Sequence, residues 1–246
     1  MDNRTNRKRI VIIGATSGIG KETALLLARK GWRVGIAGRR EERLQELQEA
    51  MPEAFVARPL DVTREDAPGQ LAALIRELGG MDVFLLSAGI GTQNPALLPE
   101  PELNTARTNV DGFIRMVTTA FHYFKEQGGG HLAVISSIAS TKGLGVAPAY
   151  SATKRFQNTY IEALAQLAHL QRLPIRFTDI RPGFADTDLL KNKHYPMTMP
   201  AVRVARKLVK AIEKRERVAV IDCRYRILVG LWKCIPRWLW ERLPVK

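Results

Sequence analysis

Apolar residues in this chain cluster in short continuous runs separated by longer amphipathic stretches. Residues 10–13, 33–37, 55–60, 82–86, 132–135, 175–180 and 217–222 are runs of four to six rich in Val, Ile, Leu, Ala and Phe. Runs of that kind read as strands buried on both faces, as in a parallel sheet. Between them, residues 19–30, 41–50, 70–78, 101–127, 150–169 and 202–214 carry apolar positions three and four apart, the period of a helix with one face on a core. In the first of these Ala24, Leu27 and Ala28 face inward, and the second stops before Pro52. Strand and helix alternate along nearly the whole length, which predicts one α/β unit.

The first strand runs into Gly14-Ala-Thr16-Ser17-Gly18-Ile19-Gly20. Glycines between a strand and a helix let the backbone approach a pyrophosphate, which then rests on the free amides of the helix N-terminus. The spacing is G-x3-G-x-G, not the commoner G-x-G-x-x-G, and such a turn can also be a tight loop; its place after the first strand is what favours a nucleotide. A second group follows residues 132–135: Ser136 and Ser137, a Gly/Pro-containing loop, then Tyr150 and Lys154 at helical spacing. Residues four apart on a helix share a face. A tyrosine with an ordinary pKa of about 10 is a poor base at neutral pH. A lysine cation beside it favours the phenolate, so the tyrosine can exchange a proton with a substrate oxygen. Ser137 is placed to hold that oxygen.

Gly14-x3-Gly18-x-Gly20, Ser137, Tyr150-x3-Lys154 and Arg181-Pro182-Gly183 occur in order and at separations that resemble the short-chain dehydrogenase/reductase family over about residues 8–222. The resemblance implies a Rossmann-like, doubly wound parallel sheet of about seven strands with helices on both faces. It implies hydride transfer between NAD(P) and a carbonyl or alcohol, with Tyr150 as acid/base, Lys154 on the nicotinamide ribose and Ser137 polarising the carbonyl. Asn109, in Asn-Val-Asp-Gly112, matches the family's site asparagine, which kinks its helix and holds a water linking the lysine to solvent. Asp61-Val62 resembles the adenine-contacting pair, although Asp61 can equally be a helix cap. Ala88-Gly89 matches the pair that lies along the cofactor, but Leu86 and Ser87 replace the two asparagines that usually precede it. Pro182, Gly183 and Thr187 fall where the family contacts the cofactor amide, and Ile180 offers backbone there. Dimers and tetramers are the family's habit. Phe156, Tyr160, Ala163 and Leu167 form the helix face that often builds the dimer, or that here serves as core.

The second strand ends in Gly38-Arg39-Arg40. In nucleotide folds an acid near this position bonds the ribose 2′-hydroxyl, whereas arginine accommodates a 2′-phosphate. Gly38 stands in the acid's place and two arginines follow, so NADPH is the expected cofactor, with Arg39 the preferred contact and Arg40 beside it. The alternative is a solvated first turn of the next helix.

Composition narrows the partners. Of 246 residues, 46% are hydrophobic, which suits a packed core. The net charge of +14 and pI near 10.2 call for an anion: a phosphorylated cofactor, an anionic membrane surface, an acidic carrier or nucleic acid. No stacking or recognition motif for nucleic acid is found. No apolar run reaches the ~18 residues of a membrane span, and the basic first nine residues lead into a strand rather than a secretory signal. Cys223 and Cys234 form no metal pattern, so no metal is expected, and a reduced, cytoplasmic setting is the simpler reading.

Two segments bear on the substrate. Residues 184–200 form the expected lid, with Leu189, Leu190, His194, Tyr195, Met197 and Met199 suggesting a greasy ligand. Residues 223–246 form an extension to a domain of 1–222, and three of the four tryptophans, Trp232, Trp238 and Trp240, fall in it. Within 224–243, Ile227, Leu228, Leu231, Trp232, Ile235, Trp238 and Leu239 recur at helical spacing among Arg224, Arg226, Lys233, Arg237 and Arg242, and Pro236 should break the helix. Such a pattern suits an interfacial membrane helix at the inner face of a membrane, a lid over a lipid site, or a stripe packed on the protein's own core or a second subunit. The leading expectation is therefore an NADPH-dependent reductase of a hydrophobic carbonyl. A ketoacyl-carrier reductase and a non-catalytic dinucleotide-binding regulator are the rivals.

Overall fold

A computed structural model describes residues 7–188 and 197–245. Among these residues one seven-stranded parallel sheet has the order β3-β2-β1-β4-β5-β6-β9. Its strands are β1 (Arg9–Ile13), β2 (Arg33–Gly38), β3 (Phe55–Pro59), β4 (Val83–Leu86), β5 (Gly130–Ile135), β6 (Ile175–Pro182) and β9 (Val218–Ile221). The central strand β1 shows why the runs are continuously apolar. Ile10 and Ile12 face a core shared with α1 (Gly18–Arg29), α2 (Glu41–Ala50) and α7 (Ala201–Glu213). Val11 and Ile13 face the opposite core, shared with α3 (Ala67–Leu78), α5 (Phe113–Glu126) and α6 (Pro148–Leu170). Successive side chains of a strand point to opposite faces, and here both faces are buried.

The helix expected over 101–127 is interrupted. It divides into α4 (Pro99–Ala106), a π-helical turn (Arg107–Gly112) and α5. Asn109 lies in that turn, and its side chain is tied to another backbone. Its Oδ1 accepts from Ile90 N at 2.9 Å, and its Nδ2 donates to Ile90 O at 2.7 Å and to Thr153 Oγ1 at 3.1 Å. A π turn is what a helix adopts when one residue must be carried out of the regular ladder. On α6, Phe156 and Tyr160 close on Phe113 with ring centres 6.0 and 5.5 Å away, whereas Ala163 and Leu167 are exposed.

Past β6 the two-residue strands β7 (Ala185–Asp186) and β8 (Met199–Pro200) pair with each other. Leu189, Leu190, His194 and Tyr195 of the expected lid lie outside the described residues. The extension forms α8 (Cys223–Cys234) and α9 (Arg237–Trp240), broken at Pro236 as the sequence predicts. Its inner side is part of the main core. Tyr225 is fully buried with its ring against Gly183, where a Cβ would come within 2.3 Å; its hydroxyl accepts from Phe184 N and donates to Met197 O. Trp240 donates to Gly143 O at 2.7 Å, and Lys142 Nζ donates to Ile235 O at 2.9 Å. The extension thus fastens onto both segments that flank the end of β5. At its start Asp222 is buried at φ +84, caps α8 and pairs with Arg224, Lys207 and Arg203; its bonds to Arg224 and Lys207 hold its carboxyl far below the usual carboxylate range.

Candidate active site

The sheet order reverses between β1 and β4, and the crevice beyond their carboxyl ends is where open α/β sheets bind ligands. The glycine loop is packed into that crevice. Gly14 sits at φ +90, and a Cβ there would meet Ala88 N at 2.6 Å; one on Gly20 would meet Gly14 O at 2.2 Å. Ser87 N and Ala88 N both donate to Ile13 O, so the strand end with Leu86 and Ser87 in place of asparagines is bonded through backbone. Gly18, at φ +53, faces Thr187, whose Cγ2 a Cβ would approach to 2.9 Å. Helix α1 begins beside this loop with Ser17 at its N-cap, no side-chain cap and no acid in its first turn. Its first amides therefore point at the crevice with a favourable dipole for an anion.

The two arginines after β2 separate. Gly38 is pressed on the Thr16 methyl, where a Cβ would come within 2.7 Å; the acid that other nucleotide folds place here has no room. Arg40, rather than the favoured Arg39, reaches over the glycine loop. Its guanidinium donates to Thr16 Oγ1 at 3.0–3.1 Å and to Ser17 Oγ at 2.5 Å, and pairs with Asp188 at 3.0 Å. Arg39 instead lines an open cleft of about 420 Å³ with Pro59, Leu60, Asp61 and Arg64. Asp61 Oδ1 accepts from Thr63 N and Thr63 Oγ1, so its carboxylate closes a local turn as well as edging the cleft. Val62 is buried where Gly112 of the π turn closes on it.

The acid–base group lies at the end of β5. Ser137 caps a short 3-10 turn (Ile138–Ser140), accepting from Ala139 N at 3.1 Å, and its hydroxyl is near enough to the Tyr150 phenol to favour the phenolate. Tyr150 stands in the first turn of α6, which Pro148 opens, and Gly91 lies flat on its ring. Lys154 follows one turn later, nearly buried, with Nζ 5.8 Å from the Tyr150 ring centre. Nζ donates to Ile135 O at 3.0 Å and to Gln157 Oε1 at 3.1 Å.

The electrostatics differ from the sequence expectation. Burial pushes the Tyr150 phenol up and outweighs the opposing Ser137 bond, instead of a lysine cation pulling the phenol down. Burial likewise pushes Lys154 down to about 8, against the upward pull of Asp179. Desolvation disfavours the charged form of each group, and Nζ is turned to Ile135 and Gln157 rather than to the phenol oxygen.

One member of the site went unnoticed in the sequence. Gln157, buried on the lysine's face of α6, accepts from Lys154 and donates from Nε2 to Asn109 O at 3.0 Å. Its amide thus joins the lysine to the Asn109 backbone. The available signal was its position three residues after Lys154.

The model of the family described as short chain dehydrogenase matches residues 8–197. The chain belongs to that family. An uncharacterized oxidoreductase of Myxococcus xanthus is 39% identical over 193 residues, covering 76% of each protein. One of Mycobacterium tuberculosis is 34% identical over 245 residues, covering 94% of this chain and 95% of the relative. The solved structure of ElxO with NADP bound has the same fold at a TM-score of 0.80 and 21% identity, covering 90% of this chain and 99% of ElxO.

In this short chain dehydrogenase Pro182 ends β6, and Gly183 packs beneath the Tyr225 ring. Ile180, fully buried, accepts from Ser136 N, and Thr187 Oγ1 donates to Ala185 O at 3.3 Å. Glycine loop, Ala88-Gly89, Ser137, Tyr150, Lys154 and Thr187 thus border one crevice, while Arg39 and Asp61 border the cleft past β3 and Val62 is buried in the core beside it.

Proposed function

We propose that this oxidoreductase reduces a carbonyl of a small hydrophobic substrate to an alcohol, using NADPH. The observation that carries the reading is the Ser137–Tyr150–Lys154 group at the end of β5, across the crevice from an uncapped helix N-terminus. The residues suit the cofactor. The first amides of α1 fit a pyrophosphate. Gly38 with Arg40 fits a 2′-phosphate, since Thr16, Ser17 and Arg40 already converge on one spot and no acid opposes an anion there except Asp188, which Arg40 and Arg43 hold. When bound, NADPH supplies the hydride.

The chain's own groups handle the proton. The Ser137 hydroxyl donates to the substrate oxygen and draws electron density from its carbon. Tyr150, kept protonated by burial, gives its phenolic proton to that oxygen as the carbonyl becomes an alcohol. The phenolate left behind lies in the field of the Lys154 ammonium, which stands 5.8 Å from the ring centre and is held there by its bonds to Ile135 O and Gln157 Oε1. Phe184, Met197 and the tryptophans of the extension favour an apolar substrate. The charge of +14 also suits a ketoacyl thioester on an acidic carrier.

The test is NADPH oxidation over ketones, quinones, ketoacyl thioesters and long-chain keto-lipids, run in parallel with NADH. Tyr150→Phe should bind NADPH and lose turnover by about a hundredfold or more. Arg40→Ala should weaken NADPH far more than NADH. Undiminished turnover in the first variant, or equal losses for both cofactors in the second, would count against the corresponding part of the reading.

A further inference from the structure

The extension has a second side that the core does not use. Tyr225, Val229 and Trp240 are buried, and Leu228 and Trp232 pack partly against the main cluster. A quarter to a half turn away, Cys223, Ile227, Leu231 and Cys234 form one stripe at spacings of four, four and three, and all are exposed. Ile227 is 65% and Leu231 61% exposed. Trp238, also 61% exposed, continues the surface on α9, with Leu239 and Leu243 beside it. Scattered exposed apolar residues are ordinary, but a stripe of Ile, Leu and Trp along one helix pair is not.

The charge around this stripe is one-sided. Residues 223–245 contain five arginines and lysines and one acid, Glu241. Arg224 is held by Asp222 and Arg237 by Glu241. Arg226, Lys233 and Arg242 form no ion pair among the described residues. By helical position Arg226 and Lys233 fall on one flank of the stripe and Arg224 on the other. An apolar centre edged with cations is the arrangement of a helix that lies in a lipid headgroup layer, its apolar face in the acyl boundary and its cations on the phosphates.

From these observations we infer that α8 and α9 form a docking surface for an anionic bilayer. A second copy of the chain is the weaker occupant. A two-fold contact through this face would set the cations of one copy against those of the other, with only Glu241 to offset them. The location gives docking a consequence. The helix that presents Trp238 also plants Trp240 on Gly143, in the loop between Ser137 and Tyr150. Helix α8 meanwhile holds Phe184 and Met197 through Tyr225. Lipid bound at this surface borders both segments that flank the reacting group, so a substrate dissolved in the bilayer has a short path in.

The test is co-sedimentation of the full chain with vesicles of phosphatidylcholine containing phosphatidylglycerol, against phosphatidylcholine alone. Binding should require phosphatidylglycerol and weaken as salt is raised. Ile227→Glu/Leu231→Glu should abolish it, and Lys233→Gln should weaken it roughly fivefold. All three substitutions are at exposed positions, and an unchanged melting curve checks that each variant folds. No dependence on phosphatidylglycerol overturns the inference. So does a wild-type oligomer in light scattering that the double variant dissociates while vesicles capture neither form. Neither measurement uses turnover, so failure of the reductase reading leaves this result interpretable.

Discussion

Two polar networks hang from the end of β5, one residue apart. Ser136 and Ser137 leave the strand in opposite directions, and Asn158 and Gln157 follow each other on α6. The first network closes on Asp179, whose carboxylate accepts from Ser136 Oγ, from Asn158 Nδ2 at 2.9 Å and from Arg181 Nε at 2.8 Å. Its charge is matched by Arg181, and only Asn158 Oδ1 lacks a partner among the described residues. The second network bonds Lys154, Gln157 and Asn109 into a chain beside Ser137 and Tyr150 and contains no carboxylate. Its phenol is pushed up and its lysine down, so both ionisable groups sit away from their ordinary ranges. A network that balances its own charge acts as structure. One that leaves an acid and a base unbalanced is suited to moving protons. The two communicate, because Asp179 is what keeps Lys154 from falling further.

The largest expected effect is in the first network. Asp179→Asn leaves Arg181, with a side chain only 17% exposed, without its counter-charge. Losing one partner of a buried pair typically costs about 3–5 kcal/mol. For a chain of this size that lowers the melting temperature by about 2–4 °C per kcal/mol. Lys154 also loses its upward pull, so the alkaline fall in turnover should move to lower pH. A variant that melts early but keeps its pH profile would separate the two networks.

The adjacent serines sharpen the contrast at smaller cost. Ser137→Ala should reduce turnover by about a hundredfold and leave the melting temperature nearly unchanged. Ser136→Ala should do the reverse, losing about 1–3 kcal/mol of stability and little turnover at temperatures where it is folded. Steady-state kinetics and thermal melts on the same two preparations decide it. Equal losses of turnover would mean that the division between structure and chemistry is drawn in the wrong place.

These networks also show what a sequence reveals and what it hides. The continuous apolar runs gave the strands, because a doubly covered sheet demands them. The glycine spacing marked the loop, because Gly14 and Gly20 have no room for a Cβ. Ser137, Tyr150 and Lys154 were legible by spacing and resemblance. A kink at Asn109 was implied by the resemblance, while its π form depends on Ile90 and Thr153, which are distant in sequence. Two features were not legible. Which of the adjacent Arg39 and Arg40 reaches over the loop depends on a single residue's direction after a strand. Gln157 passed for an ordinary helix residue, because one glutamine carries no motif. Its expected effect is more modest: Gln157→Leu should lower turnover roughly tenfold, the scale of one lost hydrogen bond to a charged group. Stability should change less than in Asp179→Asn, and Gln157→Asn should recover none of the loss, since its shorter amide cannot span Lys154 and Asn109.

The smallest effect is one of pH, and its sign divides activity from stability at one residue. Lys154 has a folded pKa of about 8, below the roughly 10.4 of an unfolded lysine. Between those values the unfolded chain binds a proton at this position that the folded chain does not. Stability therefore rises with pH across that window, relative to a Lys154→Met variant. Reduction runs the other way. The ammonium charge near the phenolate is lost as pH passes about 8, while burial keeps Tyr150 protonated beyond that point. The alkaline limb of kcat/KM should then belong to the lysine and begin near pH 8, just where the folded state starts to gain stability. A limb that begins near 10, in the range of an ordinary phenol, would assign it to Tyr150 instead and would mean that the lysine keeps its proton despite burial.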